Sequence, residues 1–230
     1  MTLAASRETI RRDLATLDGR GLARRVHGGA LARENGGAPL EGPFAARRLE
    51  NVEAKRAVAR AAASMLRPGD SLFVDTGTTT LHFADELARV EGLTVITNSA
   101  AIAERAGRAR GSTVYLLGGE FRPEARETVG AMTLAQIGEL RAAHAFLTVA
   151  SIDVRGFMDI DLQEAQVARA MIERASAVTV LSDAAKLRRP GVFEVAPPSG
   201  VDRLVIDTVG DPERAAFEAA GMKIVLAAPG

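Results

Sequence analysis

Leu72-Phe-Val-Asp-Thr-Gly-Thr-Thr-Thr80 joins an apolar run to a loop of small polar residues. The run Leu72–Val74 predicts a buried strand, and beyond the loop the pattern becomes helical from Leu81 to Ala88. A strand, a small-residue loop and a helix together present free backbone N–H groups at a helix N-terminus, which attracts anions. The segment therefore predicts a phosphate-binding loop, and an ordinary strand-to-helix turn is the alternative interpretation.

The rest of the chain repeats this alternation of apolar strand patterns and helical patterns. Alternation of this kind predicts an α/β fold, in which a mainly parallel sheet carries helices on both faces. The predicted strands are Leu72–Val74, Leu93–Thr97, Thr113–Leu117, Ala145–Ala150, Ala177–Leu181, Arg203–Ile206 and Lys223–Leu226. The predicted helices are Phe44–Leu66, Leu81–Arg89, Ala100–Gly107, Thr133–Leu140, Gln163–Arg174 and Pro212–Ala220.

Small or polar residues follow five of the predicted strands, at the edge where parallel sheets bind ligands. In the first loop Gly77 permits close approach of the backbone, and the threonines after it supply hydroxyl donors and helix N-caps. Five such strand ends on one edge favour a pocket for a polyol and a phosphate over ordinary turns. The residues at these strand ends are Asp75, Thr76, Gly77, Thr78, Thr79, Thr80, Asn98, Ser99, Gly118, Gly119, Glu120, Ser151, Ile152, Asp153, Asp183 and Lys186, with Arg122 and Arg126 close behind Glu120.

The N-terminal part of the chain is basic, although the formal net charge of the whole chain is zero. Ser6 is a predicted N-cap for a helix over Arg7–Leu17, which has an apolar stripe on one face and arginines and threonines on the other. Leu22–Val26 predicts a strand, and His27-Gly-Gly-Ala30 predicts a tight turn into another. This order suits a DNA recognition helix followed by a β-wing, while an ordinary amphipathic helix and hairpin would have the same pattern.

Composition excludes several classes of protein. The chain of 230 residues suffices for one large domain with a small appendage, and its 47% hydrophobic and 25% charged residues are ordinary for a globular protein. Cysteine is absent and the three histidines lie far apart, so we expect no thiolate chemistry, no metal site and no cofactor. Neither a membrane-spanning run nor a signal-peptide pattern is present, so we expect a cytoplasmic protein.

Ser6-Arg-Glu-Thr-Ile-Arg-Arg-Asp-Leu14, followed by Gly21-Leu-Ala-Arg-Arg-Val-His-Gly-Gly-Ala30, resembles the winged helix-turn-helix signature of DeoR-type (GlpR-type) bacterial transcriptional regulators. Members of that family carry two further helices before this one, whereas only Met1–Ala5 precedes it here. We expect either that the protein starts upstream of Met1 or that this form has lost DNA binding. The residues that the resemblance implies for DNA contact are Ser6, Arg7, Thr9, Arg11, Arg12, Arg24, Arg25 and His27.

The body of the chain resembles the C-terminal sensor domain of the same family, which is related in fold to sugar-phosphate isomerases and binds phosphorylated sugars or related metabolites. The matching motifs are Asp75-Thr-Gly-Thr-Thr-Thr80, Val95-Ile-Thr-Asn-Ser99, Leu117-Gly-Gly119, Glu164-Ala165 with Ala170-Met-Ile172, and Leu181-Ser-Asp-Ala-Ala-Lys186. The resemblance implies a phosphate held by Asp75, Gly77, Thr78, Thr79 and Thr80, with Asn98 beside it. It also implies that the sugar is faced by Asp153, Glu164 and Lys186.

Two positions depart from the family pattern. Thr148-Val-Ala-Ser151 replaces a glycine-rich stretch, and Ala168 stands where the family usually has a lysine. The loss of that cation leaves the identity of the effector open, and drift on a helix surface is the simpler interpretation of Ala168.

The resemblance implies a repressor of carbohydrate-metabolism genes, not an enzyme, that binds operator DNA and releases it when a phosphorylated sugar binds. Residues 1–33 would form a partial winged helix-turn-helix, residues 34–43 a linker and residues 44–230 the effector-sensing domain, in a homo-oligomer (dimer or tetramer) with no membrane partner. One alternative is a sugar-phosphate isomerase with Asp153 or Glu164 as general base and Lys186 as electrostatic support. Another is a sensor protein without competent DNA binding.

Overall fold

The computed structural model describes residues 23–26, 29–32 and 42–228. The chain divides into two compact units, residues 1–50 and residues 51–230. In the first unit, strand β1 (Ala23–Val26) pairs antiparallel with β2 (Gly29–Ala32), and a short helix α1 spans Phe44–Arg47. The hairpin predicted for this region is therefore confirmed. The predicted positions outside the described residues are Ser6, Arg7, Thr9, Arg11, Arg12, His27 and residues 34–41 of the linker.

The second unit contains six α-helices, two 3-10 turns and twelve strands among its described residues. Its helices are α2 (Val52–Ala63), α3 (Thr78–Leu87), α4 (Ala100–Ala106), α5 (Ala131–Gly138), α6 (Leu162–Arg174) and α7 (Asp211–Ala219), and its 3-10 turns are Ala184–Lys186 and Pro198–Gly200. Its strands are β3 (Ser71–Val74), β4 (Thr94–Thr97), β5 (Thr113–Leu116), β6 (Glu120–Arg122), β7 (Glu127–Val129), β8 (Ala142–Leu147), β9 (Ser151–Asp153), β10 (Gly156–Asp159), β11 (Ala175–Ser182), β12 (Phe193–Ala196), β13 (Arg203–Ile206) and β14 (Lys223–Leu226).

Seven of these strands form one parallel sheet in the order β14-β13-β11-β8-β3-β4-β5, flanked by helices. All seven strands predicted from apolar runs lie in this sheet, so the α/β prediction is confirmed. The reason is visible in β3, where Leu72, Phe73 and Val74 are fully buried, because strands of a parallel sheet are covered on both faces. Strand β8 begins at Ala142, three residues before the predicted start, and ends at Leu147.

The order of the strands places a reversal beside β3. The chain runs outward from β3 through β4 to β5, and it returns to β8 on the opposite side of β3. In open α/β sheets this reversal leaves a crevice at the carboxyl ends of the two central strands, which is where ligands bind. The crevice in this fold therefore lies at the ends of β3 and β8.

The single helix predicted over Phe44–Leu66 is wrong, because the chain leaves the helical conformation between α1 and α2. Asn51 adopts a left-handed conformation with φ of 51° at the start of α2, a geometry that interrupts a helix and that asparagine tolerates better than most residues. The Asn51 side-chain amide donates a hydrogen bond to Asp183 Oδ1 at 3.1 Å. This contact ties the start of α2 to the loop after β11.

Two small antiparallel sheets were not predicted from the sequence. Strands β6 and β7 form a hairpin, and β9, β10 and β12 form a three-stranded sheet in the order β12-β10-β9. Each of these strands has only three or four residues, too few for a clear alternation of apolar and polar positions. Both sheets contribute residues to the crevice, as described below.

The turn from β3 into α3 requires a residue without a side chain. Gly77 has extended backbone angles, and a Cβ placed there would lie 2.0 Å from Thr148 Oγ1. The close backbone approach predicted at Gly77 is thus an approach to Thr148. The prediction of threonine N-caps is wrong, because Gly77 is the N-cap residue and the Thr80 hydroxyl instead donates to the Gly77 carbonyl oxygen at 3.1 Å.

Within the ranges 23–26, 29–32 and 42–228, the helices all fall short of the length and apolar character needed to cross a bilayer.

Gly77→Ala is expected to destabilise the fold by about 1–3 kcal/mol, because its new methyl group must displace the Thr148 side chain. Gly138→Ala is the matched control, since a Cβ at Gly138 meets no atom within 4 Å. We expect this control, at the end of α5, to be neutral or stabilising by up to about 1 kcal/mol. Urea unfolding followed by circular dichroism measures both. Equal stability of the two variants would contradict the close packing of Gly77 against Thr148.

Candidate functional site

Asp75 lies at the end of β3 and is buried at the reversal of the sheet. Its Oδ2 atom accepts a hydrogen bond from the Thr148 backbone N–H at 2.8 Å, and its Oδ1 atom accepts one from the Thr148 hydroxyl at 3.3 Å. Burial raises the pKa of Asp75 well above its ordinary value; the Thr148 N–H opposes that rise, and the nearby carboxylates of Asp159 and Glu127 add to it. The Asp75 carboxyl group is therefore hydrogen-bonded only to uncharged donors in the described structure, and its buried surroundings disfavour the ionised form.

Asn98 and Glu127 form a second wall of the crevice, and both are almost completely buried. The Asn98 side-chain amide donates to the Thr128 carbonyl oxygen at 3.0 Å, and the Asn98 carbonyl oxygen accepts from the Thr128 N–H at 2.8 Å. These bonds attach the end of β4 to β7, which carries Glu127. Burial also raises the pKa of Glu127, whose carboxylate lies 3.7 Å from Arg122 Nη1.

The third wall comes from β10 and the first turns of α6. Asp161 caps α6, because its Oδ1 atom accepts from the backbone N–H groups of Gln163 and Glu164 at 2.8 and 3.1 Å. Arg122 connects this wall to β6: its Nη1 atom lies 3.0 Å from Asp161 Oδ2 and 4.0 Å from Glu164 Oε1. The guanidinium also donates a hydrogen bond to the Gln163 side chain.

These walls enclose a cleft, here called the strand-end cavity, with about 260 Å³ of empty space including its opening to solvent. Its closed part has room for a group about the size of one water molecule. The lining combines four carboxyl groups with an amide, hydroxyl groups and a small apolar surface: Asp75, Thr76, Asn98, Glu127, Thr148, Asp159, Glu164, Val167 and Ala168. The cavity is suited to hydrogen-bond donors, and helix α3 begins three residues after Asp75.

The predicted site residues divide into two groups in the structure. Those that line the strand-end cavity or form the start of α3 are Asp75, Thr76, Gly77, Thr78, Thr79, Thr80, Asn98 and Glu164. Ser99 serves as the N-cap of α4, where its hydroxyl oxygen accepts from the Ile102 N–H at 3.4 Å. Gly118 and Gly119 shape the turn between β5 and β6, since a Cβ on Gly119 would lie 2.1 Å from Thr133 Oγ1.

Asp153 and Lys186 are not among the residues that line the strand-end cavity. Asp153 accepts hydrogen bonds from the backbone and guanidinium of Arg155, and it lines a separate groove together with Arg155, Arg188 and Arg189. Lys186 lies in the 3-10 turn after β11. Burial, and next the charge of Arg189, lower the pKa of Lys186 to about 8.

Several residues that line the cavity were not predicted as site residues: Glu127, Thr148, Asp159 and Val167. Asp161, which was not predicted either, contacts Arg122, one of the polar residues expected at the strand ends. The usable signal was Asp159-Ile-Asp161 just before a helical pattern, where an aspartate is a preferred N-cap. The interpretation of Ala168 as a helix-surface position is wrong. Ala168 is buried and lines the cavity, because α6 turns this face towards the strand ends.

The chain is similar to known regulators over most of its length. It matches the DeoR-like helix-turn-helix domain over residues 2–35 and the DeoR C terminal sensor domain over residues 50–208. It is 37% identical over 202 residues to the transcriptional repressor AccR of Agrobacterium fabrum, covering 87% of this chain and 78% of that protein. It is 30% identical over 205 residues to the glycerol-3-phosphate regulon repressor of Escherichia coli, covering 89% and 80%.

Among solved structures, ribose 5-phosphate isomerase A of Methanocaldococcus jannaschii is similar with a TM-score of 0.44 and 18% sequence identity, covering 60% of this chain and 55% of that one.

Asp75→Asn is expected to stabilise the fold at neutral pH while keeping an acceptor for the Thr148 N–H. The raised pKa of Asp75 means that the folded state binds more protons than the unfolded state, so stability falls as pH rises from the ordinary carboxyl pKa through the folded one. Asp75→Asn removes that loss. Its melting temperature should therefore exceed that of the wild type by a margin that grows as pH rises above the ordinary carboxyl pKa.

Thermal unfolding at a series of pH values measures this margin, with the exposed Glu91→Gln as the control for removal of a carboxylate. A margin for Asp75→Asn that stays flat or shrinks as pH rises would contradict the cost assigned to the buried Asp75 carboxylate.

Proposed function

We propose, since this chain belongs to the DeoR family of transcriptional regulators, that it is a DNA-binding repressor of carbohydrate-metabolism genes controlled by a phosphorylated sugar or related metabolite. The observation that carries the proposal is the strand-end cavity, which lies at the reversal of the sheet next to the start of α3. Its carboxyl and amide oxygens suit the hydroxyl groups of a polyol, because each hydroxyl can donate a hydrogen bond.

The start of α3 supplies the part of the site that suits a phosphate. The first turn of a helix has N–H groups without partners inside the helix, and the helix dipole favours an anion there. In this chain those N–H groups belong to Thr78, Thr79 and Thr80, all of them buried. We assign the phosphate to this turn and the polyol to Asp75 and the remaining lining of the cavity.

We assign DNA contact to residues 1–33, the linker to residues 34–43 and effector sensing to residues 44–230. The basic residues of the first segment suit operator phosphates and guanine edges. The protein would act in the cytoplasm as a homo-oligomer whose paired DNA-binding domains read a repeated operator. Effector control requires only that the ligand bind one arrangement of the oligomer better than the other.

A sugar-phosphate isomerase is the alternative from another class. Glu164 lines the cavity and could act as a general base, but Asp153, the other predicted base, lies in a separate groove. Turnover of a pentose or hexose phosphate that is lost in Glu164→Gln would establish the enzyme and displace the regulator.

Arg11→Ala and Arg12→Ala are each expected to weaken operator binding by about 1–3 kcal/mol and to make its salt dependence less steep. Arg110→Ala, which removes an exposed arginine of the second unit, is the matched control and should leave both quantities unchanged. Fluorescence anisotropy with labelled operator DNA at a series of salt concentrations measures both. Unchanged binding in Arg11→Ala and Arg12→Ala would contradict the recognition helix, and no specific binding by the wild type would favour the sensor without DNA binding.

Thr78→Val and Thr79→Val are expected to weaken the binding of sugar phosphates by about tenfold or more each, because each loses a hydroxyl donor to a charged phosphate. Thr80→Val is the matched control, since the Thr80 hydroxyl already donates to the Gly77 carbonyl oxygen. Isothermal titration calorimetry with a panel of pentose and hexose phosphates measures the affinities. A loss in Thr80→Val as large as in the other two would argue against a phosphate at this turn.

A further inference from the structure

Four buried oxygen atoms of the strand-end cavity make no hydrogen bond of normal geometry in the described structure. They are the hydroxyl oxygen of Thr76, the side-chain oxygen of Asn98 and the two carboxylate oxygens of Glu127. Asn98 is 2% exposed and Glu127 is 1% exposed, so solvent access to either side chain is minimal. A buried acceptor without a donor costs free energy, and a buried carboxylate costs more. A ligand that brings donors to these atoms therefore removes this cost.

The charge in the cavity is unbalanced around Asp75 and Glu127. Asp75 receives its hydrogen bonds from the uncharged Thr148. The guanidinium nearest to Glu127 in the described ion pairs, that of Arg122, lies 3.7 Å away and is closer to Asp161, at 3.0 Å. Burial raises the pKa of both carboxyl groups, and for Glu127 it outweighs the opposing effects of the Arg122 charge and of the neighbouring Thr76 and Glu164 side chains.

We propose that the effector carries a primary ammonium group that occupies the closed end of the strand-end cavity and donates hydrogen bonds to Asn98 Oδ1 and the Glu127 carboxylate. This inference rests on the proposed function and names the effector class as phosphorylated amino sugars or related amino polyol phosphates. An ammonium group has three N–H donors and no acceptor, so it can donate to Asn98 Oδ1 and to both carboxylate oxygens of Glu127. A hydroxyl group brings a single donor and no charge.

The size and lining of the cavity agree with this occupant. The closed end has room for one water-sized group, which an ammonium matches. Among the described residues, no three His, Asp or Glu side chains are arranged to hold a metal ion, so a bound metal is the poorer solution. Ala168 lines the same space with only a methyl group, and it follows Glu164 by one helical turn. Because the Ala168 side chain is small and uncharged, it leaves space for a cation that the ligand would supply.

The test compares ligand pairs that differ only in the amine. Glucosamine 6-phosphate is matched with glucose 6-phosphate, and 3-aminopropyl phosphate with 3-hydroxypropyl phosphate, by calorimetric titration of the full chain. We expect the amino member of at least one pair to bind about tenfold tighter or more, because each of its N–H groups makes a charge-assisted hydrogen bond. N-acetylglucosamine 6-phosphate has an uncharged amide in place of the ammonium group, so it should not bind more tightly than glucose 6-phosphate.

Variants locate the effect in the cavity. Glu127→Gln keeps the shape of the side chain but removes its charge, and it should reduce the ratio of amino to hydroxyl affinity towards one. Ala168→Lys should do the same by supplying an internal ammonium, whereas Ala168→Met, of similar length but uncharged, should lower both affinities without removing the preference.

Equal or weaker binding of both amino ligands would overturn the inference while leaving the proposed function intact, provided that the hydroxyl members bind. An amine preference that persists in both Glu127→Gln and Ala168→Lys would also overturn it, because the ammonium would then lie elsewhere. Failure of every phosphorylated ligand to bind would overturn both the inference and the phosphorylated effector of the proposed function.

Discussion

The contact between Asp75 and Thr148 is the constraint on which the candidate site depends. It joins the ends of β3 and β8, the two strands between which the chain reverses, through two hydrogen bonds to one buried carboxyl group. The same threonine leaves no space for a side chain at Gly77, so the backbone enters α3 directly after the carboxylate. The buried Asp75 carboxylate and the N-terminus of α3 are thereby held close together. The carboxylate favours a cation or a hydrogen-bond donor, whereas the helix N-terminus favours an anion.

The features that can be predicted from the sequence are those whose physical cause lies within a single segment of the chain. The seven strands of the large sheet are predictable because burial on both faces requires continuous apolar runs such as Leu72–Val74. Asp75, Asn98 and the start of α3 are predictable for a related reason, since parallel strands bring their carboxyl ends to one edge. The family motifs in these segments led to the family that the comparisons confirm.

The unpredicted part of the site comes from contacts between distant segments. Glu127 lies on a three-residue strand whose position is set by Asn98, and Asp159 ends a four-residue strand of a separate small sheet. Neither strand is long enough to show a period. Ala168 looks like a surface alanine because its burial arises from the packing of α6 over the strand ends. Asp153 and Lys186 also follow strands, yet they do not line the cavity, since the chain turns into β9 and a 3-10 segment there.

A ligand that supplies donors to the buried oxygens of Asn98 and Glu127 stabilises the arrangement that binds it, which is the property that an effector site needs. The most direct measurement is a crystal structure of the full chain with glucosamine 6-phosphate or glucose 6-phosphate bound. We expect phosphate oxygens at the N–H groups of Thr78, Thr79 and Thr80, and the sugar against Asp75, Asn98 and Glu164. A phosphate bound instead in the groove of Arg155, Arg188 and Arg189, with the strand-end cavity empty, would contradict this expectation.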